Sequence, residues 1–429
     1  MGVILMDINR FVSEIEADVI AIRRDLHMHP EISMEEERTI EVVTRKLAEL
    51  NIDYEVIPYG GVIGIIKGER PGKSIILRAD LDALPMKEAT KNLKHNKVVV
   101  SKYDHAAHMC GHDGHTAMLL GAAQILTKSK HKLNGNVILA FEQGEENGKG
   151  IYRLLKRLVE IGADGVWGIH LKNDLPSGKI SVDPGPRMAG VFPFNVKIKG
   201  KDGHGSRPDL AASPIDCFVD FYQDLQAARL RSLNPFEPIT YSIGSVNGGS
   251  SPNVIPDEIK FSGTARFLHE EQGEKMVQEF TRLLEAACQK NNCTFEFIEK
   301  PVPIGLFVYN EETCAAIAEQ AITNVLGKTT LTNYPAWMAS EPFSLYQKYF
   351  PGVFAFVGIR NEEKGTGAEH HNAHFDIDED VLKLGVAATV QYTIDFLKYE
   401  GEIPYRRETR SVEKLLQAMN FPIYDPEKE

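Results

Sequence analysis

Four imidazoles, a thiol and a carboxylate fall within one short run of this chain, His105-Ala-Ala-His108-Met-Cys110-Gly-His112-Asp113-Gly-His115. Cys and His are soft-to-borderline ligands suited to Zn2+ and neighbouring transition metals. Cys110 and His112, separated by one glycine, can point at one site from a loop. The apolar, small-residue stretch that follows His115 reads as a deeply packed helix. The ligands would then sit at a loop-to-helix junction on a rigid support. A His-rich surface loop with one buried cysteine has the same composition, and this run alone does not separate the two.

Other segments carry donors of the same kind. Ser74–Arg78, a short apolar strand, runs into Asp80 and Asp82, and the C-terminal end of a strand is where α/β sheets build sites. The strand Asn136–Glu142 delivers Gln143-Gly-Glu145-Glu146. Adjacent glutamates point in different directions, so one can hold a metal while the other carries a proton. Gly165–His170 reads as a buried strand ending in a single histidine, and Glu369-His370-His371-Asn-Ala-His374 is a second imidazole cluster. Together Cys110, His112, Glu145, Glu146, His170 and His371 could complete two metal sites and leave one carboxylate unbound. Metal pairs about 3.5–4 Å apart recur in hydrolases, where they acidify a water and polarise the scissile carbonyl. A non-ligating glutamate takes the water's proton and hands it to the leaving amine. His27-Met-His29 is a weaker pair: Pro30 breaks the helix there, and hydrogen bonding at a helix end is the expected role.

Several elements must position these groups. Apolar spacing predicts helices over Asp7–Met28 and Thr39–Leu50, then strands at Tyr54–Pro58 and Val62–Lys67 ahead of Ser74–Arg78. A helix follows at Ile151–Ile161. From Arg187 to about Val302 the order becomes β-α-β-β-α-β, that of a ferredoxin-like α+β unit. Its elements are Phe194–Lys199, Ser213–Arg231, Ile239–Ser245, Glu258–Leu268, Glu271–Lys290 and Cys293–Glu299. Alternation of helix and strand resumes with Glu311–Leu326, 353–357 and Glu379–Tyr399, and one more helix is expected at Ser411–Met419. The expected division is a catalytic domain in two parts, 1–187 and 303–399, an inserted domain, 188–302, and a C-terminal extension, 400–429.

At 429 residues the chain is too long for one core. Its net charge of −12 argues against a nucleic-acid-binding face. Five scattered cysteines make no disulfide framework and point to a reducing compartment. The apolar patch over residues 1–6 lacks the basic start of a signal peptide. No run reaches the ~18 apolar residues of a membrane span. A cytosolic protein without nucleic-acid or membrane partners is expected.

The chain resembles the M20 metallopeptidase family, in its amidohydrolase branch of hippurate hydrolases, auxin-conjugate hydrolases and N-acetyl-diaminopimelate deacetylases. The matching segments run in order: Asp25–Glu31, Arg78–Pro85, Cys110–Thr116, Gly144–Glu146, Gly168–His170, Gly203–Pro208, Asn253–Asp257 and His371–Asp376. The resemblance implies an α/β fold, with an aminopeptidase-like mixed-sheet catalytic domain and an inserted ferredoxin-like lid that often dimerises. It implies Cys110, His112, Glu146, His170 and His371 as ligands of two divalent ions, Zn, Mn, Co or Ni. Glu145 would be the general base, and Asp82 would orient a ligand. In the lid, His204 would support the oxyanion, often from the partner subunit, and Asn253 and Arg266 would hold the substrate's carboxylate or oxyanion. The implied reaction is hydrolysis of an N-acyl amino acid, with dipeptidase or carboxypeptidase action, or a silent binding homologue, as rivals.

Three positions depart from the family pattern. Gly144 stands within the segment that the family writes Gln-Pro-Ala-Glu-Glu. Pro342 replaces the acid of a Glu-Asp-Phe segment. Ala373 replaces the proline of the last motif.

Overall fold

The computed structural model describes residues 7–426, so the apolar patch over residues 1–6 lies outside the described residues. The large sheet is built from β1 (Asp53–Ile57), β2 (Gly61–Lys67), β3 (Arg70–Asp80), β4 (Asn134–Glu142), β5 (Gly165–Pro176), β6 (Ile180–Ser181) and a late strand, Gly352–Arg360. The second sheet lies between them in sequence, as β7 (Gly190–Lys199), β8 (Ile239–Gly248), β9 (Glu258–Phe267) and β10 (Thr294–Glu299), which makes the late strand β11. The large sheet has the order β1-β2-β4-β3-β5-β11-β6. Its centre is parallel: β3 pairs with β4 and β5, and β5 with β11. Parallel strands need cover on both faces, which accounts for the unbroken Val/Ile/Leu runs of β3 and β4.

Three helices stack on one face: α1 (Ile8–Met28), α3 (His112–Lys128) and α9 (Leu382–Lys398), with α2 (Glu37–Glu49) nearby and α7 (Glu312–Leu326) packed on α9. Helix α3 is buried nearly all round because α1 and α9 flank it over the sheet. Gly121 lets α1 and α9 come close; a Cβ there would meet Val19 at 2.7 Å and Val386 at 3.1 Å. The opposite face carries α4 (Ile151–Ile161), then α8 (Phe343–Tyr349) and α10 (Val412–Ala418), which share a core with Ile76, Ile138 and Val166.

The second sheet runs β8-β9-β7-β10, all antiparallel, with α5 (Pro214–Arg231) and α6 (Glu270–Lys290) packed on one another and on it. Every second residue of β7 is buried, and Phe192, Phe194, Phe221, Phe261 and Phe280 make a core separate from that of the large sheet. The fold is thus α/β, an aminopeptidase-like mixed sheet with an inserted ferredoxin-like unit.

Two local differences from the sequence expectation have physical causes. The segment at 379–381 is a tight 3-10 turn before α9, because the Asp378 side chain accepts from the Asp380 amide and caps it. Helix α8 is too short for periodicity to reveal; Phe343, Tyr346 and Tyr349 are buried along it. Among the described residues, no helix is long and apolar enough to cross a membrane.

Candidate functional site

The parallel strands set the site by register. Asp80 ends β3 opposite Glu142, the last residue of β4, and His170 in β5 pairs with Phe356 of β11. Cys110, His112, Glu145, Glu146, His170 and His371 converge beyond these positions. Between Cys110 and α3 stands Gly111 in the left-handed region, φ +94°, a conformation that glycine adopts without a Cβ penalty. Gly144 likewise has φ +65°, and a Cβ there would lie 2.5 Å from Met34 Sδ. His371 holds φ +60° without being glycine, a strain of the kind that accumulates at functional sites.

Three hydrogen bonds fix the imidazoles. His112 Nδ1 donates to Asp82, reaching the backbone carbonyl at 2.9 Å and Oδ1 at 3.1 Å. Asp82 is itself held by Ser33 at 2.6 Å and by the Glu146 amide at 3.0 Å. His170 Nδ1 donates to the Leu171 carbonyl at 2.7 Å. With Nδ1 committed as donor, each ring turns its Nε2 inward, where the neutral form offers a lone pair. His170 Nε2 lies 3.7 Å from Cys110 Sγ, and His371 Nε2 lies 3.2 Å from Glu146 Oε1.

His112 Nε2 is buried with no hydrogen-bond partner, although carboxylate oxygens of Asp80, Glu145 and Glu146 stand 3.8–3.9 Å away. A buried ring nitrogen surrounded by acids beyond bonding reach is a cation-shaped gap. Two donor triads, Cys110–His112–His170 and Cys110–Glu146–His371, each have ligand atoms within 4.8 Å of one another, and they share Cys110. This soft-and-hard set fits a pair of divalent transition ions.

A third triad, Asp80–His112–His115, does not fit. His115 donates from Nδ1 to Asp80 at 2.7 Å and accepts at Nε2 from the Leu171 amide at 2.9 Å, so both nitrogens are committed. Asp80 also pairs with Arg78 at 2.7 Å.

Glu145 lines the cavity but is buried. Burial, then the charges of Glu341 and Glu146, push its carboxyl well above the ordinary range. Glu341 is raised to about 7 by burial, against the pull of Arg78. Arg78 faces Glu142 at 2.7 Å and Glu341 at 3.2 Å. Behind the glutamates, Glu36 accepts from the Gly144 amide at 2.7 Å, and burial and Asp82 raise it to about 8.

No pattern in the sequence marked Glu36 or the Glu341–Arg78 link. One lies on a polar helix start, and the other depends on pairing across the sheet. His370 was visible only as a cluster member; its ring packs on His170, Trp337 and Phe375.

The cavity is about 470 Å3 and is bordered by Cys110, Glu145, Glu146, His170 and His371. Arg266, on β9, is not itself in the lining but donates to Ser340 Oγ, which is, at 2.8 Å. His204 and Asn253 do not line it. They stand exposed where Gly203–His204 pairs with Val254–Ile255, and His204 Nδ1 accepts from the Ser206 amide at 3.1 Å.

His27 and His29 are engaged elsewhere. His29 bonds the Asp25 carbonyl at 2.8 Å. His27 is clamped between Asp113 at 2.8 Å and Glu88 at 3.0 Å. Burial and Arg23 oppose its charge, but the two acids win and raise its pKa above 6.5. A raised folded pKa gives stability that is complete below about pH 6.5 and fades as pH climbs through the folded value. His27→Phe is expected to cost about 2 kcal/mol at pH 6. That cost should shrink as pH climbs through the raised folded value, read from urea midpoints.

Residues 76–394 match peptidase family M20/M25/M40. The chain belongs to that family. It is a metal-dependent hydrolase of the M20 fold. It is 35% identical to thermostable carboxypeptidase 2 of Saccharolobus solfataricus over 392 residues, 90% of this chain and 97% of the relative. It is also 35% identical to an N-acetylcysteine deacetylase of Bacillus subtilis, covering 85% of this chain and 93% of that one. Among solved structures, a dinuclear metal binding peptidase from the M20 family of Bacillus subtilis superposes with a TM-score of 0.78. Its identity is 32%, with 90% and 99% of the two chains covered.

Proposed function

We propose that this M20 hydrolase cleaves the amide bond of N-acyl amino acids. The observation that carries the reading is a cavity lined by Cys110, Glu146, His170 and His371, all members of two donor triads, with a buried acid at Glu145 and the Arg266 guanidinium bonded to the lining residue Ser340. Cys110, His112, Glu146, His170 and His371 would hold two divalent ions, Zn, Mn, Co or Ni. When bound, such a pair acidifies water and polarises the scissile carbonyl.

The chain's own residues do the rest. Glu145 takes a proton from the attacking water and returns it to the departing nitrogen. Asp82 locks His112 in the tautomer that turns Nε2 inward. Arg266 offers the substrate carboxylate a fork of donors. His204 and Asn253 stand exposed on the lid, a placement that suits action in a second copy's site. We therefore propose a homodimer or larger homo-oligomer. The division at 187/188, 302/303 and 399/400, and a reducing, cytosolic setting that keeps Cys110 a thiol, belong to the same proposal.

The M20 carboxypeptidase relative keeps a second reading open, cleavage of a peptide bond by the same groups. Side-by-side turnover of N-acetyl and N-benzoyl amino acids and of dipeptides, with metal analysis of each sample, separates them. No hydrolysis of either class by Zn-, Mn- and Co-loaded protein would sink both. Arg266→Ala is expected to raise KM for free-carboxylate substrates by about tenfold or more. The same substitution should change little for amide-capped ones, as initial rates will show.

A further inference from the structure

The C-terminal segment forms a wall of the active-site cavity. Helix α10 is packed in place: Val412, Leu415 and Leu416 share a core with Ile151, Leu154, Leu155 and Leu158 of α4. The chain then turns through Asn420, φ +51°, and the Phe421 amide donates to the Leu416 carbonyl at 2.9 Å. Further on, Tyr424 meets Tyr59 edge-on at 6.1 Å, and the Lys149 ammonium lies 5.1 Å over the Tyr424 ring. Asp425 pairs with Arg153, whose guanidinium also lies 5.7 Å over Tyr59. Phe421 is thus held from both sides of its own position.

Its ring lies against Gly148, whose φ is +67°; a Cβ there would come within 2.8 Å of Phe421 Cζ. Gly148 belongs to the turn that carries Glu145 and Glu146, and its amide donates to the Glu145 carbonyl at 2.9 Å. Phe421 and Pro422 border the same cavity as Met188, Leu306 and Trp337. These five residues give apolar surface to a lining that also carries the donors and acids. Apolar lining favours an apolar ligand group, because water there lacks partners. An acetyl group is too small to cover such a surface in a cavity of about 470 Å3.

We infer that Phe421 is a specificity residue, which the C-terminal segment presents to a bulky apolar substituent of the substrate. That substituent is either the acyl group or the amino-acid side chain. The inference takes the substrate's identity from the amide-hydrolase reading, whereas the wall stands on the packing alone.

The test compares full-length, metal-loaded protein with Phe421→Ala in two series. One varies the acyl group on alanine, as N-acetyl, N-benzoyl and N-phenylacetyl. The other varies the side chain of N-acetyl-alanine, -leucine and -phenylalanine. In one series kcat/KM for the bulky members is expected to fall about tenfold relative to the small member. The series that responds tells which substituent meets Phe421. An equal fall across every member would mean that Phe421 only buttresses the Glu145 turn, and it would overturn the inference. Unmoved ratios in both series would overturn it too. Phe421→Leu, which keeps most of the bulk, should give an intermediate ratio and guards against misfolding of the alanine variant.

If the unaltered protein hydrolyses no N-acyl amino acid, the substrate reading has failed, and the wall is then tested by binding. Calorimetry with phenylacetate and acetate should show a selective loss of phenylacetate affinity in Phe421→Ala. Equal affinities in both proteins would overturn the wall.

Discussion

Glu145→Gln is expected to lower kcat by about 10³-fold while metal content stays unchanged. The amide keeps the shape of the carboxylate but cannot accept the proton. Nothing else in the cavity replaces it well. Glu146 Oε1 already faces His371 and His112, and Glu341 is turned toward Arg78 and the Phe343 amide.

The fold should not suffer. Burial and the neighbouring charges of Glu341 and Glu146 already oppose a negative charge at Glu145. A neutral amide removes that repulsion, so the urea midpoint should hold or rise slightly. Elemental analysis, a melt and a rate on one sample make the prediction decisive. A variant that keeps most of its activity removes Glu145 as the base. A variant that loses activity together with its metal assigns Glu145 to holding ions instead.

Legibility in the sequence followed how local each signal was. Helix α4 and the strands around Asp80, Glu142 and His170 were readable because apolar runs end there in acids and imidazoles, and a parallel sheet gathers such ends. The ferredoxin-like order of the inserted unit was readable from its periodicity alone. The pairing of the second carboxylate layer was not. Glu36, Glu341 and Arg78 lie far apart in the chain, and only the β3–β4 register and the placing of α8 bring the last two together.

The Glu341-Pro342-Phe343 departure looked like a question of substrate or packing. The structure shows what the retained glutamate does: it pairs with Arg78 and raises the electrostatic cost of charging Glu145. The tail was the least legible part. Phe421 follows a short helix in a charged stretch, and no pattern in it announces contact with a turn nearly three hundred residues earlier. Even His108, next to the best motif, turned out to be buried with neither ring nitrogen bonded, and burial lowers its pKa to about 4.

Arg78→Leu should be the most damaging single change to stability, about 3–5 kcal/mol at pH 8 by urea titration. The guanidinium is fully buried and faces three carboxylates, Asp80, Glu142 and Glu341. Each has a second partner, His115, Tyr346 and the Phe343 amide respectively, but Arg78 is in contact with all three. Removing one member of a buried ion cluster costs more than the cluster contributes as a whole, since the remaining charges stay desolvated.

The pH dependence gives the sign. Burial already raises Glu142, and it raises Glu341 to about 7, so the folded state holds protons that the unfolded chain has released above about pH 4.5. Stability therefore falls as pH rises through that window. Without Arg78 both carboxyls move further up, so the cost of the substitution should be smaller at pH 5 than at pH 8. Arg78→Lys should recover only part of the loss, because one ammonium cannot span three carboxylates as a planar fork does. A loss that is independent of pH would mean that Arg78 acts by filling space, and the carboxylates around it would then have to be satisfied by other groups.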